Sequence, residues 1–403
     1  MNLIEKREIF PRVREHTHGS TVVETPGGDL LAAWFQGSGE RNADDVRIMG
    51  ARLKSGSREW SAPFLMADVP GFPDVNPILF WDPRGRLWLV WYTVIAHQWD
   101  TSLLQARMSE RFEGEGAPKW DWQKTIFVKP GSPAQKGVQP DDRFLASVKR
   151  QAESYGKRLG GDPELQARWN EWSARMIANA AGEPMTRRGI LKNEDGTETP
   201  TDIGYPYFRR MGWQTKNKAI IVNGGRLILP LYSDGFSFSL MALSDDSGET
   251  WQFSEPLVGA GSIQPSVAVK ADGTLAAYMR DNGPPPKRLH YAESTDNGMT
   301  WSDVIDSELP NPGSGADIVT LSDGRWALAY NDTERGRHSL AVSFSEDEGA
   351  SWARTLHLER DDGARSSYPS IIQARDGVLN VVYSSHQGDP RANAIKWARI
   401  EAG

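Results

Sequence analysis

The chain has 403 residues, 38% hydrophobic and 25% charged, a globular composition with room for one large core or two ordinary ones. Its net charge of −7 argues against bulk binding of nucleic acid or an anionic membrane, and no apolar run approaches the roughly 18 residues of a membrane helix. With no cysteine, disulfides, thiol catalysis and zinc–thiolate sites are excluded.

The opening residues, Met1 to Lys6, lack the apolar stretch of a signal peptide. This points to the cytoplasm, or to the periplasm or a secreted location if a leader has been removed. Residues 3–10 read as a strand. A repeating hairpin follows: a short apolar strand, a tight turn ending in Gly, then a second apolar strand. Its first copies are TVVETPGGDLLAAW (21–34) and PILFWDPRGRLWLVWY (77–92). Glycine suits such turns because it accepts positive φ without a Cβ clash.

Helical spacing interrupts the pattern. Phe144, Leu145, Val148, Ala152 and Tyr155 form one stripe, and Leu165, Trp169, Trp172 and Met176 another, the second after an Asp162-Pro163 cap. The spacing predicts two helices, over 141–156 and 162–182. They belong to an insertion of residues 134–212 that either decorates a flank or covers the mouth of the fold. The polar stretch from Arg187 to Trp213 is expected to be a long loop.

Four more hairpins follow: AIIVNGGRLILPLY (219–232), SVAVKADGTLAAYM (266–279), IVTLSDGRWALAY (318–330) and SIIQARDGVLNVVY (370–383). The turn glycines Gly28, Gly85, Gly225, Gly273, Gly324 and Gly377 are spaced 57, 140, 48, 51 and 53 apart. Spacings near 50 are those of a four-stranded propeller blade. Between hairpins a second motif recurs, as SDDSGETW (244–251), STDNGMTW (294–301) and SEDEGASW (345–352), with a worn copy in GSREWS (56–61). Its Asp can accept backbone N–H bonds across a turn and its Trp can pin that turn to the blade, a structural role. A last strand, 394–400, is expected to share a blade with the N-terminal strand. The sequence therefore predicts an all-β, six-bladed β-propeller, a single domain over 1–403 with the helical insertion after blade 2.

Counting back from each turn glycine reaches the strand ends that face the central channel. These carry His18, Asp74, Asn76, Lys216, Asn217, Lys218, Gln264, Asp317 and Tyr368. The returning strands bring Asp44, Asp45, His97, Asp234, Arg280, Asp332, Arg335, Arg337 and His386 to the same end. So many polar and charged residues from separate loops suggest a binding site. Of the clustered tryptophans, Trp34, Trp81, Trp88 and Trp91 read as packing and Trp99 as a surface on which a sugar can stack. His16-x-His18 reads as a surface pair without metal-ligand spacing, and the Gly-rich stretches lack the Lys-Ser/Thr of a phosphate loop. No metal or cofactor is expected.

The Ser-x-Asp-x-Gly-x-Thr/Ser-Trp motif is the Asp-box, and outside the helical insertion the chain resembles the sialidase superfamily, in particular bacterial BNR-repeat, neuraminidase-like glycosyl hydrolases. The resemblance implies three Arg for a substrate carboxylate, an Asp acid/base and a Tyr nucleophile activated by Glu. Carried over, it implies Asp44 or Asp45 as acid/base, Arg280 as the second Arg, Arg335 or Arg337 as the third, and Tyr368, in Ser367-Tyr368-Pro369-Ser370, as nucleophile. Two positions depart from the pattern. The first Arg is replaced by His18, in His18-Gly19-Ser20, and the Glu partner of the tyrosine by Gln264. A tyrosine with a pKa near 10 is a poor nucleophile without a base, and Gln cannot serve as one.

The expected activity is removal of a terminal anionic sugar, a uronate or ulosonate, from an oligosaccharide. Asp45 or Asp44, Tyr368 and His18 are the catalytic candidates; Arg280, Arg337, Arg335, Gln264, His97, Asn76, Lys218 and Asp317 are those for substrate binding. The alternatives are β-elimination at a uronate, with His18 or Tyr368 as base, a glycan-binding propeller without catalysis, and a peptide-binding scaffold. The expected partner is a glycan, with no nucleic acid and no membrane.

Overall fold

A computed structural model describes residues 1–131, 142–181, 188–192, 195–202, 207–387 and 392–403. The described residues include six four-stranded antiparallel sheets. From the centre outward, blade 1 runs His16–Glu24, Leu30–Gly37, Arg47–Leu53 and Phe64–Ala67. Blade 2 runs Asp74–Trp81, Leu87–Val94, Ser102–Ser109 and Trp122–Ile126. Blades 3, 4 and 5 have inner strands Ile220–Val222, Ser262–Val269 and Asp317–Thr320, each followed outward in sequence order. Blade 6 runs Ala364–Gln373, Leu379–Gln387 and Asn393–Glu401, and its outermost strand is N-terminal Asn2–Glu8. Arg7 pairs with Trp397 and Asn2 with Glu401, so strands from the two ends of the sequence lie in one sheet.

The blades pack through apolar faces that alternate large and small side chains. Trp34, Trp88, Trp91 and Trp326 are completely buried, beside alanines such as Ala32, Ala33, Ala277 and Ala327. Burying each large side chain contributes about 1.5–3 kcal/mol. The Asp-boxes stitch one blade to the one before it. In each, the aspartate accepts bonds within its own turn: Asp296 takes the Thr300 backbone N–H at 2.9 Å and the Thr300 hydroxyl at 2.6 Å. Asp246 and Asp347 repeat the pattern with Thr250 and Ser351. The turn so shaped reaches the neighbouring blade, where Arg86 Nη2 donates to Ser247 O (2.8 Å) and Arg226 Nη1 to Asn297 O (3.3 Å). At Gly248, where φ is +89°, a Cβ would stand 2.6 Å from the Trp88 ring, so only glycine lets the turn lie on that indole.

Between blades 2 and 3 the chain forms α1 (Arg143–Arg158) and α2 (Pro163–Ala181). The Asp142 carboxylate caps α1 by accepting the Leu145 N–H at 2.8 Å, and Asp162 accepts from Glu164 and Leu165 at the start of α2. The stripe Phe144, Leu145, Val148, Ala152 and Tyr155 is buried. Gln151 bonds Pro256 O and the Val258 N–H, Ser154 bonds Asp303, and Phe144 packs on Phe236 and Phe238. The helix therefore lies on the flank of blades 3 and 4. The stretch expected to be a loop instead contains a hairpin, Arg188–Lys192 paired with Glu198–Asp202, and a turn of helix at Tyr207–Arg210. The expected start of the insertion, residue 134, lies outside the described residues.

Candidate active site

A repeated backbone irregularity builds the site. The inner strands of blades 1, 2, 4 and 6 each slip register near the channel, between His18 and Thr21, Val75 and Ile78, Ile263 and Ser266, and Ser367 and Ser370. Each slip holds one residue in the left-handed region: Gly19 (φ 62°), Asn76 (45°), Gln264 (55°) and Tyr368 (54°). A non-glycine residue there costs on the order of 1–3 kcal/mol and persists only where its surroundings hold it. Here the bulge aims Asn76, Gln264 and Tyr368 into one cavity. Gly19 leaves room for them: a Cβ would stand 2.9 Å from Phe35 and collide with Asn76 Oδ1.

The cavity has a volume of about 970 Å³. Tyr368 sits at its centre, 8% exposed. Its phenol oxygen accepts hydrogen bonds from Arg280 Nη1 at 2.7 Å and Gln264 Nε2 at 3.0 Å. The His18 ring stacks on it, with centroids 4.2 Å apart, and the Arg337 guanidinium lies 5.3 Å from its ring centre. Tyr92, Asn76, Tyr232 and Gln264 continue the network: Asn76 Nδ2 donates to Tyr92 at 3.0 Å, and Gln264 Nε2 to Tyr232 at 3.3 Å. Burial holds the protons of Tyr92 and Tyr232 well beyond the usual tyrosine range, so both stay neutral phenols.

Charges of both signs line the cavity. Arg280, Arg337 and Arg365 supply cations, and Glu40, Asp234 and the exposed Asp362 supply carboxyls. Burial raises the Glu40 pKa against the opposing pull of Arg41, and burial likewise raises that of Asp234 against Arg280. His16, His18 and His386 form a triangle with ring centroids 5.7–5.8 Å apart. Burial, then mutual repulsion, lowers the pKa of His16 to about 4 and pushes that of His18 well below the ordinary range. Burial also lowers that of His386. All three are neutral at pH 7. Among the described residues no group of three or more His, Asp or Glu is arranged to hold a metal ion.

Of the residues singled out from sequence, Tyr368, His18, Arg280, Arg337, Gln264, Asn76, Asp234, His386 and Trp99 line this cavity. The others stand elsewhere. Asp44 pairs with His97 at 2.6 Å on exposed loops, and Asp45 holds its own loop by accepting the Ser38 hydroxyl at 2.7 Å. Arg335 is exposed outside the cavity while Arg337 enters it, because Gly336 turns the chain between them at φ 75°. Lys218 and Asp317 form a buried ion pair at 2.6 Å below the site. Asp317 also accepts Ser266 Oγ (2.7 Å) and the Ile371 N–H (2.9 Å), tying four blades together. Trp99 lines the cavity, edge-on to Tyr92 and under the Arg41 guanidinium. Glu40 and Arg365 were not picked out from the sequence. Glu40 shares its loop with Asp44 and Asp45, and Arg365 lies three residues before Tyr368, so proximity to those motifs was the available signal.

A family model described as a BNR repeat-like domain matches residues 28–185 and 199–381. The chain belongs to the BNR repeat-like family. Within it this BNR-repeat propeller is sialidase-like. It is 34% identical over 201 residues to an anhydrosialidase of Macrobdella decora, a match covering 44% of this chain and 24% of the relative. It spans only about a quarter to a third of the curated relatives it matches. Among solved structures, a protein of unknown function from Dyadobacter fermentans superposes with a TM-score of 0.66 at 14% identity, covering 99% of this chain and 98% of the other. The intramolecular trans-sialidase from Ruminococcus gnavus, solved with oseltamivir carboxylate, gives 0.62 at 14% identity, covering 96% and 94%. At these identities the superpositions speak to the fold alone.

Proposed function

We propose that this BNR-repeat propeller is a glycoside hydrolase that removes a terminal sugar bearing a carboxylate. The observation that carries this reading is Tyr368, held by Arg280 at 2.7 Å in a cavity lined by the guanidinium groups of Arg280, Arg337 and Arg365 and the carboxyls of Glu40, Asp234 and Asp362. Arg280 and Arg337 would bind the carboxylate by charge-assisted bonds, and Arg365 offers a third guanidinium from blade 6 in place of the one lost at His18. Tyr368 would attack the anomeric carbon. Glu40, whose raised pKa keeps its proton available nearer neutrality, would protonate the leaving oxygen, the task expected of Asp44 or Asp45. Trp99 would stack on the sugar ring. The single propeller would carry residues 134–212 as an insertion, of which α1 lies on the flank of blades 3 and 4; none of the described residues of α1 or α2 lines the cavity.

A second reading, β-elimination at a uronate, is favoured by His18. It is neutral, 7% exposed, stacked on Tyr368, and its Nδ1 has no described partner, as suits a base. Product analysis separates the two. The protein is given sialylated and uronate-bearing oligosaccharides, followed by mass spectrometry and absorbance near 235 nm. Hydrolysis predicts products with added water and no absorbance gain, a loss of at least about 1,000-fold in kcat for Tyr368→Phe, and about 100-fold for Glu40→Gln. An unsaturated product would sink the hydrolase reading and make His18 the residue to replace.

A further inference from the structure

Lys216 does not line the cavity, yet its ammonium lies beneath the residue at its centre. The side chain is 3% exposed, and its Nζ stands 5.3 Å from the centre of the Tyr368 ring. Its described acceptors are neutral: Pro369 O at 3.1 Å and Asn217 Oδ1 at 3.5 Å. The nearby carboxylate of Asp317 is bonded to Lys218 instead. Gly315 makes room for it, since a Cβ there would stand 3.2 Å from Lys216 Cε and 3.0 Å from Gln264 Oε1.

An ammonium buried against neutral acceptors is costly, and here burial lowers its pKa to about 8. A methionine would fill the same space without that cost. Beside it stands a phenol whose two described hydrogen bonds, from Arg280 and Gln264, are both donated to its oxygen. Neither of these bonds uses the phenol's own O–H. The groups facing Tyr368 are Arg280 and Gln264 from blade 4, Arg337 from blade 5, Lys216 and Tyr232 from blade 3, and neutral His18 from blade 1. Arg365 lies on its own strand, and the Asp234 carboxyl, facing Arg280, is the opposing charge.

We propose that Lys216 is a positioning residue that, together with Arg280, holds Tyr368 as the phenolate, so that a buried positive field replaces the carboxylate base missing at Gln264. This rests on Tyr368 being the nucleophile. The phenol O–H bond breaks before substrate arrives and its proton leaves to solvent through the cavity mouth. The phenolate oxygen then bonds the anomeric carbon as the bond to the leaving oxygen breaks. That oxygen takes the electron pair and the Glu40 proton. A water that gives its proton to Glu40 attacks the same carbon and returns the phenolate.

The test is an absorbance titration at 295 nm, taking the difference between the protein and Tyr368→Phe, repeated in a Lys216→Met background. The Tyr368 component is expected to move up by at least one pH unit on loss of Lys216, because removing a cation disfavours the anion. Lys216→Arg should keep it in place. Adding Gln264→Glu to Lys216→Met should restore turnover at least tenfold. An unmoved titration overturns the proposal. If the lysine variants do not fold, the unaltered protein still decides: a Tyr368 component in the free-tyrosine range, about 10, overturns it. A shift without turnover on any glycan leaves Lys216 in this role and removes the hydrolase reading instead.

Discussion

Asp317 shows how much of the channel is structure rather than chemistry. Its carboxylate is fully buried and satisfies Lys218, Ser266 and the Ile371 backbone, each from a different blade. Asp317→Ala would leave the Lys218 ammonium, 14% exposed, without its counter-charge. Losing one partner of such a pair costs about 3–5 kcal/mol, which a urea midpoint should register as a loss of that size. The histidine triangle makes a different demand. His16, His18 and His386 bind protons less readily in the fold than in the unfolded chain. Between pH 6.5 and about 4 the unfolded state holds the extra protons, so stability falls as pH falls through that window. Denaturation curves across it should show the loss, and His386→Gln should flatten it. Tyr368 and Gln264 were legible in the sequence because a fixed count from the turn glycine locates the channel end of a strand. Glu40 was not, because no strand alternation governs which way a loop side chain points.

At the scale of elements, the Asp-box supports a separable prediction. Asp296 accepts from Ser294, Met299 and Thr300, all within one turn remote from the cavity. Asp296→Ala should cost about 1–3 kcal/mol in thermal or chemical unfolding and leave the kinetics of the site untouched. The helices were readable because a 3.6-residue stripe marks the first and a cap the second: Phe144, Leu145, Val148, Ala152 and Tyr155 are buried as their spacing suggests, and Asp162 caps α2. The hairpin at Arg188–Lys192 and Glu198–Asp202 was not, since Ile190 and Leu191 are adjacent in its first strand and its second is polar and bears Pro200, which leaves no apolar alternation to read.

At the scale of the whole molecule, the six hairpins were visible through their glycines, and the ring follows from their number. The register slips that aim Asn76, Gln264 and Tyr368 were invisible, because a bulge with positive φ at a non-glycine residue leaves no mark in composition. Closure has its own consequence. Among the described residues the Asn2–Glu8 strand pairs with Asn393–Glu401 alone. During synthesis Asn2–Glu8 is thus made well before its partner, and its edge stays open while the five intervening blades assemble. The ring remains an incomplete arc, its first and sixth blades unfastened, until Asn393–Glu401 has emerged.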